Sequence, residues 1–329
     1  MNVGIVGLGG PGVAHAKRVA ASGRARVAAV ADVREDRARV AAHEHGARAY
    51  ADYREMLERE ALDAVLLCTP HFVRVEPIRA ICARGAALFC EKPPALTMQD
   101  AAACLEAIRG AGVVNSVGFM YRWARVTEHM RELLDGRVVL SCTVRGAWPV
   151  AFWEGIPEWL LTCERSGGPI VEQGVHLLDV ARYVLRDDVV EAQAFAANRL
   201  MPRGERATVD DTISVNLRFS GGALGTHLHN WSHRGWVWEV ACIGDDFTLT
   251  WDMATSSVRG RMSEETVHFH AEDDPYQAEI EGFLLAVERG DQSLIRSSYE
   301  DAARTLAAAL AAAESAAGGG RPVRTTAVE

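Results

Sequence analysis

Asn2-Val3-Gly4-Ile5-Val6-Gly7-Leu8-Gly9-Gly10-Pro11-Gly12 runs from a short apolar stretch directly into a Gly-x-Gly-x-x-Gly turn. In that spacing Gly7 permits a tight turn, Gly9 lets the backbone approach a pyrophosphate, and Gly12 allows the following helix to pack closely. Leu8, Gly10 and Pro11 complete the turn, and residues 13–22 predict a helix whose first amides point at phosphate oxygens. A glycine-rich turn can also do no more than join a strand to a helix. Context favours the dinucleotide: Asp32 follows Gly12 by twenty residues, with Val33 beside it, at the end of the second apolar run, where an acid binds ribose hydroxyls. Asp32 repels a 2′-phosphate, so NAD is expected over NADP, while Arg34 and Arg37 nearby keep NADP open.

Working outward, short apolar runs at 3–6, 27–31, 64–68, 87–90 and 113–117 alternate with longer amphipathic segments. Strands interleaved with helices predict a parallel sheet with right-handed crossovers, so residues 1–120 are expected to form a doubly wound Rossmann domain of α/β class. Past residue 120 the pattern changes. A helix near 126–134, a strand near 138–146 and a helix over about 170–185 precede strands near 212–219, 223–231, 237–243, 247–251 and 266–270. In 212–219, Ile213, Val215, Leu217 and Phe219 alternate with Thr212, Ser214, Asn216 and Arg218, the period of a sheet covered on one face. Helices near 276–289 and 299–316 follow, the second stopped by Gly318-Gly319-Gly320. Residues 121–329 are therefore expected to form an α+β domain with a large open, mainly antiparallel sheet, serving substrate binding and oligomerisation.

The chain has 329 residues, enough for two cores. A net charge of −9 argues against nucleic acid and for a small-molecule partner. The first residues read as a strand rather than a signal peptide, and no apolar run is long enough to span a membrane. Seven scattered cysteines without a Cys-x-x-Cys pair read as reduced, mostly buried thiols of a cytoplasmic protein.

Two places carry residues suited to proton and charge handling. Glu91-Lys92-Pro93-Pro94 ends the apolar run 87–90, at the carboxyl edge of the sheet where ligands bind in open α/β folds. Lys92 there is either a surface lysine before a proline turn or a donor to a substrate oxygen whose negative charge grows during hydride transfer. In Gly167-Gly168-Pro169-Ile170-Val171-Glu172-Gln173-Gly174-Val175-His176-Leu177-Leu178-Asp179, Glu172 and His176 stand four apart and share a face if the segment is α-helical. The pair is either a surface pair or a proton-transfer histidine oriented by an acid, a task Asp179 could also fill.

The order of the Gly7–Gly12 turn, Cys68-Thr69-Pro70, Glu91-Lys92-Pro93, Gly118-Phe119-Met120-Tyr121-Arg122 and Gly167-Gly168 through Asp179 resembles the glucose-fructose oxidoreductase/inositol dehydrogenase family, Gfo/Idh/MocA. The resemblance runs nearly the whole length. It implies a nicotinamide cofactor between a Rossmann domain and an open-sheet domain, and an NAD(P)-dependent enzyme acting on a hydroxyl/ketone carbon of a sugar, cyclitol or derivative. Lys92 matches the family lysine at the reacting oxygen and His176 the general acid/base, with Glu172 where many members carry aspartate. Thr69, Pro70, His71 and Glu91 join Gly7–Gly12, Asp32, Val33 and Lys92 as expected cofactor contacts, although His71 and Arg74 stand where the family commonly has asparagine and histidine. Pro169 replaces a common third glycine and suits a first helical turn. Tyr121 and Arg122 match positions that contribute substrate contacts.

Seven of the eight tryptophans lie beyond residue 140. Trp153 and Trp159, before the Glu172 segment, are candidate walls for the apolar face of a sugar, while core or interface packing accounts for most of the others. His227 with His229, and His268 with His270, alternate along single strands without an evident third ligand, so no metal is expected and ordinary polar positions on the open sheet are preferred. The uncovered sheet face predicts a homodimer or homotetramer. Two other functions share these features: NAD-dependent, redox-neutral glycoside cleavage, and non-catalytic dinucleotide sensing for a protein partner. The presence of both Lys92 and His176 weighs against the second.

Overall fold

The computed structural model describes residues 1–201 and 207–328, which divide into two compact units. The first comprises Met1–Trp123 and Asp274–Ala303; the second comprises Ala124–Asp273 and the chain from Arg304 onward.

In the first unit, β1 (Asn2–Val6), α1 (Gly10–Ala21), β2 (Arg26–Ala31), α2 (Glu35–His45), β3 (Arg48–Tyr50), α3 (Tyr53–Arg59), β4 (Ala64–Leu67), α4 (Val75–Ala83), β5 (Ala87–Cys90), α5 (Met98–Ala111) and β6 (Asn115–Val117) alternate along the chain. All pairings are parallel, in the order β3-β2-β1-β4-β5-β6. The order reverses between β1 and β4, and the crevice beyond their carboxyl ends is where dinucleotides bind in such sheets. β1, β4 and β5 are apolar because the sheet carries helices on its faces; Val3, Ile5, Leu66 and Phe89 are buried. The segment returning at residue 274 supplies part of this core. Ile280, Phe283 and Leu284 pack in one cluster with Val3, Ile5, Leu66 and Phe89, and the Phe283 and Phe89 rings meet edge-on at 5.6 Å.

The second unit contains α6 (Arg125–Leu133), β7 (Val139–Ala147), α7 (Cys163–Ser166), a π turn at Ile170–Gly174, α8 (Val175–Leu185), β8 (Val189–Ala197), β9 (Thr212–Phe219), β10 (Leu224–Asn230), β11 (Val237–Gly244), β12 (Phe247–Asp252), β13 (Ser257–Met262) and β14 (Glu265–His270). The helix at Pro275–Arg289, α9, belongs to the first unit; α10 (Tyr299–Ala317) follows it, and β15 (Val323–Arg324) closes the sheet. The strand order is β14-β13-β12-β11-β7-β10-β9-β8-β15, with β7 and β10 the one parallel pair among these strands.

The alternation expected for 212–219 is present: Ile213, Val215, Leu217 and Phe219 are buried while Ser214, Asn216 and Arg218 are exposed. α6 and α8 pack on the inner face, where the buried Trp251 donates to Thr127 Oγ1 at 2.9 Å. On the outer face Leu224, Leu228 and Ile243 are exposed among ion pairs such as Arg145 with Glu239 at 3.1 Å. The cysteines are all free thiols, six buried and Cys163 exposed. Among the described residues no helix is long and apolar enough to cross a membrane.

Candidate active site

The glycine turn has the close packing that its sequence implies. Gly7 takes φ +88°, and a Cβ on Gly12 would lie 1.9 Å from the Gly7 carbonyl oxygen, so only glycine lets α1 start this near to β1. A Cβ on Gly9 or Gly10 would meet nothing within 4 Å, which leaves open space over the turn. α1 begins there without a side-chain cap. Its first amides are therefore available to an anion, and the open cradle with an uncapped helix start fits a pyrophosphate. Asp32 fixes the turn from β2: Leu8 N–H donates to its Oδ2 at 2.6 Å and Arg34 N–H to its Oδ1 at 2.8 Å. Both oxygens keep acceptor capacity for ribose hydroxyls. The Arg34 guanidinium pairs with Asp36 at 2.8 Å, and the Val33 side chain points into solvent.

Thr69 and Pro70 leave β4 beside Gly7, whose absent Cβ would lie 2.9 Å from Thr69 N. Thr69 Oγ1 is buried with no protein partner, a polar atom that a bound cofactor could satisfy. His71 opens a short 3-10 turn, His71–Val73, and is buried against Phe72.

Glu91 and Lys92 follow β5 directly. His15 Nε2 on the buried face of α1 lies 2.7 Å from Glu91 Oε1, and Lys92 N–H donates to Glu91 Oε2 at 3.0 Å. Burial opposes ionisation of Glu91, but the His15 hydrogen bond and the charges of His15, Lys92 and Arg74 outweigh it and hold the carboxyl down at about 2. The Lys92–Pro93 peptide is cis.

Tyr121 and Arg122 lie in a 3-10 turn at Met120–Trp123, and both are buried. Burial raises the Tyr121 hydroxyl far above the usual phenol range. Arg122 is no surface charge: it donates to the Arg296 carbonyl at 2.6 Å and pairs with Asp301 at 2.5 Å. This fastens the turn to the segment before α10 and to the first turn of α10 itself.

The second unit carries Glu172 and His176. The segment is not uniformly α-helical as expected. Gly167 and Gly168 take φ of +71° and +76°, Pro169 enters the helical region, and Ile170–Gly174 forms a π turn before the α-helical ladder starts at Val175. The extra residue in that turn, not plain α spacing, sets the position of Glu172 relative to His176. Glu172 is half-buried and His176 buried. Asp179 is buried and accepts from Thr305 Oγ1 at 3.0 Å, which in turn accepts from Arg182 at 2.6 Å.

Trp238 meets the His176 ring edge-on at 6.3 Å, with Trp148 6.1 Å from Trp238 and Trp236 5.6 Å from Trp148. Trp153 and Trp159 are the expected walls for the apolar face of a sugar. Trp153 is exposed, and Trp159 packs against a small core of Val150, Leu160, Met201, Val209 and Trp231. The Trp-x-Trp spacing at 236 and 238 was the available signal, since period two turns Trp238 inward.

His227 and His229 are expected at polar positions on the open sheet, but they lie on its covered face and are fully buried. His227 sits under the π turn, where a Cβ on Gly174 would be 3.2 Å from its Cε1, and His229 Nε2 donates to Gln173 Oε1 at 3.3 Å. Burial, with His229 adding to it, pushes His227 well below the ordinary histidine range; burial lowers His229 to about 3. His268 and His270 are exposed. Among the described residues no group of three or more His, Cys, Asp or Glu could hold a metal ion.

Two family profiles match the chain: "Oxidoreductase family, NAD-binding Rossmann fold" over residues 1–119, and "GFO/IDH/MocA C-terminal domain" over residues 128–250. A myo-inositol 2-dehydrogenase of Thermotoga maritima is 29 % identical, covering 96 % of each chain. A D-xylose 1-dehydrogenase (NADP(+)) of Haloferax volcanii is 26 % identical, covering 96 % of this chain and 98 % of the relative. The crystal structure of a probable dehydrogenase from Thermotoga maritima superposes with a TM-score of 0.83 at 27 % identity, over 98 % of both chains. With both halves of the architecture and the dinucleotide turn in place, the chain belongs to the Gfo/Idh/MocA family and is an NAD(P)-dependent oxidoreductase.

Proposed function

We propose that the protein is a dehydrogenase or reductase working on a hydroxyl/ketone carbon of a sugar, cyclitol or derivative. The observation that carries this reading is the anchoring of Lys92: its backbone N–H is held by Glu91, which His15 ties to the helix of the phosphate turn. A lysine whose backbone is fixed at the carboxyl edge of β5 suits an oxygen that gains negative charge. The names of the relatives, myo-inositol and D-xylose dehydrogenases, support a polyhydroxylated substrate.

In the oxidation direction His176 takes the hydroxyl proton and Lys92 donates to the oxygen as the C–H bond breaks. A bound nicotinamide supplies the hydride acceptor. Glu172 orients His176 or binds a second hydroxyl, and Trp238 packs against the His176 ring. Tyr121 and Arg122 shape the turn that follows β6, with Trp153 and Trp159 as outlying candidates for sugar contact. Asp32 favours NAD through repulsion of a 2′-phosphate. Leu224, Leu228 and Ile243 on the outer sheet face support a homo-oligomer, and the buried free thiols suit the cytoplasm.

The test is a panel of inositols, pentoses, hexoses and keto-sugars assayed with both cofactors by NADH and NADPH absorbance. Net cofactor reduction by a polyol, with NADH binding tighter than NADPH, is expected. Glycoside cleavage without net reduction would replace the reading by a redox-neutral one.

A further inference from the structure

Arg74 stands between the 3-10 turn after β4 and the start of α4, and its side chain turns back beneath the loop that carries Lys92. It is buried to 3 % exposure. Nε and Nη2 donate to the Thr69 carbonyl at 3.1 and 2.7 Å, while Nη1 donates to the carbonyls of both Glu91 and Pro93. One guanidinium thus joins the carboxyl ends of two adjacent strands and grips the chain on each side of Lys92. The planar fork of arginine suits several carbonyls at fixed angles, whereas an ammonium cannot hold the same set. The charge is matched: Arg74 is among the groups that keep Glu91 ionised.

We infer that Arg74 is a positioning residue for Lys92, fixing its backbone from the carbonyl side as Glu91 fixes it from the N–H side. The inference rests on Lys92 acting at the reacting oxygen. Tyr299 Oη donates to the Pro94 carbonyl at 2.9 Å and secures the next residue of the loop, so loss of Arg74 frees residues 91–93 rather than the whole segment. Misplacing the ammonium by a fraction of its contact distance reduces the chemical step more than cofactor binding, because Arg74 reaches the phosphate cradle of Gly7–Gly12 only through the Thr69 carbonyl.

The experiment compares Arg74→Lys, Arg74→Gln and Lys92→Ala with the unaltered chain by NADH titration, hydrogen exchange of segment 90–97, and turnover of the most active of myo-inositol, D-xylose and D-glucose. Both Arg74 variants are expected to bind NADH within about threefold of the original, to exchange the Lys92 amide about tenfold faster, and to lose about 100-fold in kcat with a smaller change in KM. Unchanged exchange at Lys92, or unchanged kcat in Arg74→Gln, overturns the inference. Loss of NADH binding in both variants overturns it too, since Arg74 would then hold the domain rather than align Lys92. Full turnover by Lys92→Ala sinks the role of Lys92 itself; a dead Lys92→Ala beside fully active Arg74 variants removes only Arg74.

Discussion

His15 Nε2 lies 2.7 Å from Glu91 Oε1, so one carboxylate connects the helix of the phosphate turn to the residue before Lys92. Glu91→Gln keeps the shape and one acceptor oxygen but removes the charge. Hydrogen bonds to a charged partner contribute about 2 kcal/mol, and a loss of that size in urea denaturation is expected, with slower turnover. Because its carboxyl is held at about 2 against an ordinary 4.5, the contribution of Glu91 is present above pH 4.5 and is lost as pH falls toward 2. An unchanged midpoint at pH 7 would show that the His15–Glu91 contact contributes nothing to stability.

The neutral histidines under the π turn give the second unit its own acid sensitivity. In the unfolded chain His227 and His229 titrate near the ordinary 6.5, whereas burial keeps them unprotonated in the fold, His229 down to about 3. The unfolded state therefore binds more protons across that window, and stability falls on acidification by about 1 kcal/mol per pH unit for each histidine. Urea midpoints measured between pH 7 and 5 check this, with His229→Gln expected to flatten the slope. A stability independent of pH in that range would contradict the burial of these rings.

Gly12→Ala introduces a Cβ at 1.9 Å from a backbone oxygen, a clash that no side-chain rotation relieves. The turn must open. NADH binding is expected to weaken by about 100-fold or more as the helix start moves off the phosphates. Fluorescence titration with NADH reads the effect, and affinity near that of the unaltered chain would show that the turn does not cradle the cofactor.

The Rossmann half was legible because its strands are buried on both faces and read as apolar runs; β3, three residues long with Arg48 and Ala49 exposed, left no such mark. In the second unit β9 announced itself by strict alternation. β8 is alanine-rich and weakly patterned, and β13 is interrupted by Gly260, whose missing Cβ would lie 1.9 Å from Thr248 O. The return of Ile280, Phe283 and Leu284 to the first core is a long-range packing event that local pattern does not encode. Of the candidate site, motif order singles out Lys92 and His176, but not the residues that hold them. His15 had a faint signal, a polar residue on the helix face shared by Gly12, Ala16 and Val19, which calls for a partner. Arg74 was visible only as an unusual residue after Thr69-Pro70, since its three carbonyl partners come from two loops that meet only in the folded sheet.

In the proposed reaction Lys92 and His176 handle charge and proton for hydride transfer. Single-turnover kinetics of Lys92→Ala and His176→Ala, with NADH affinity measured on the same samples, checks these roles. Losses of about 1,000-fold or more in the chemical step are expected for each, with NADH Kd within a few fold of the unaltered protein. Chemistry at the original rate in either variant would contradict them.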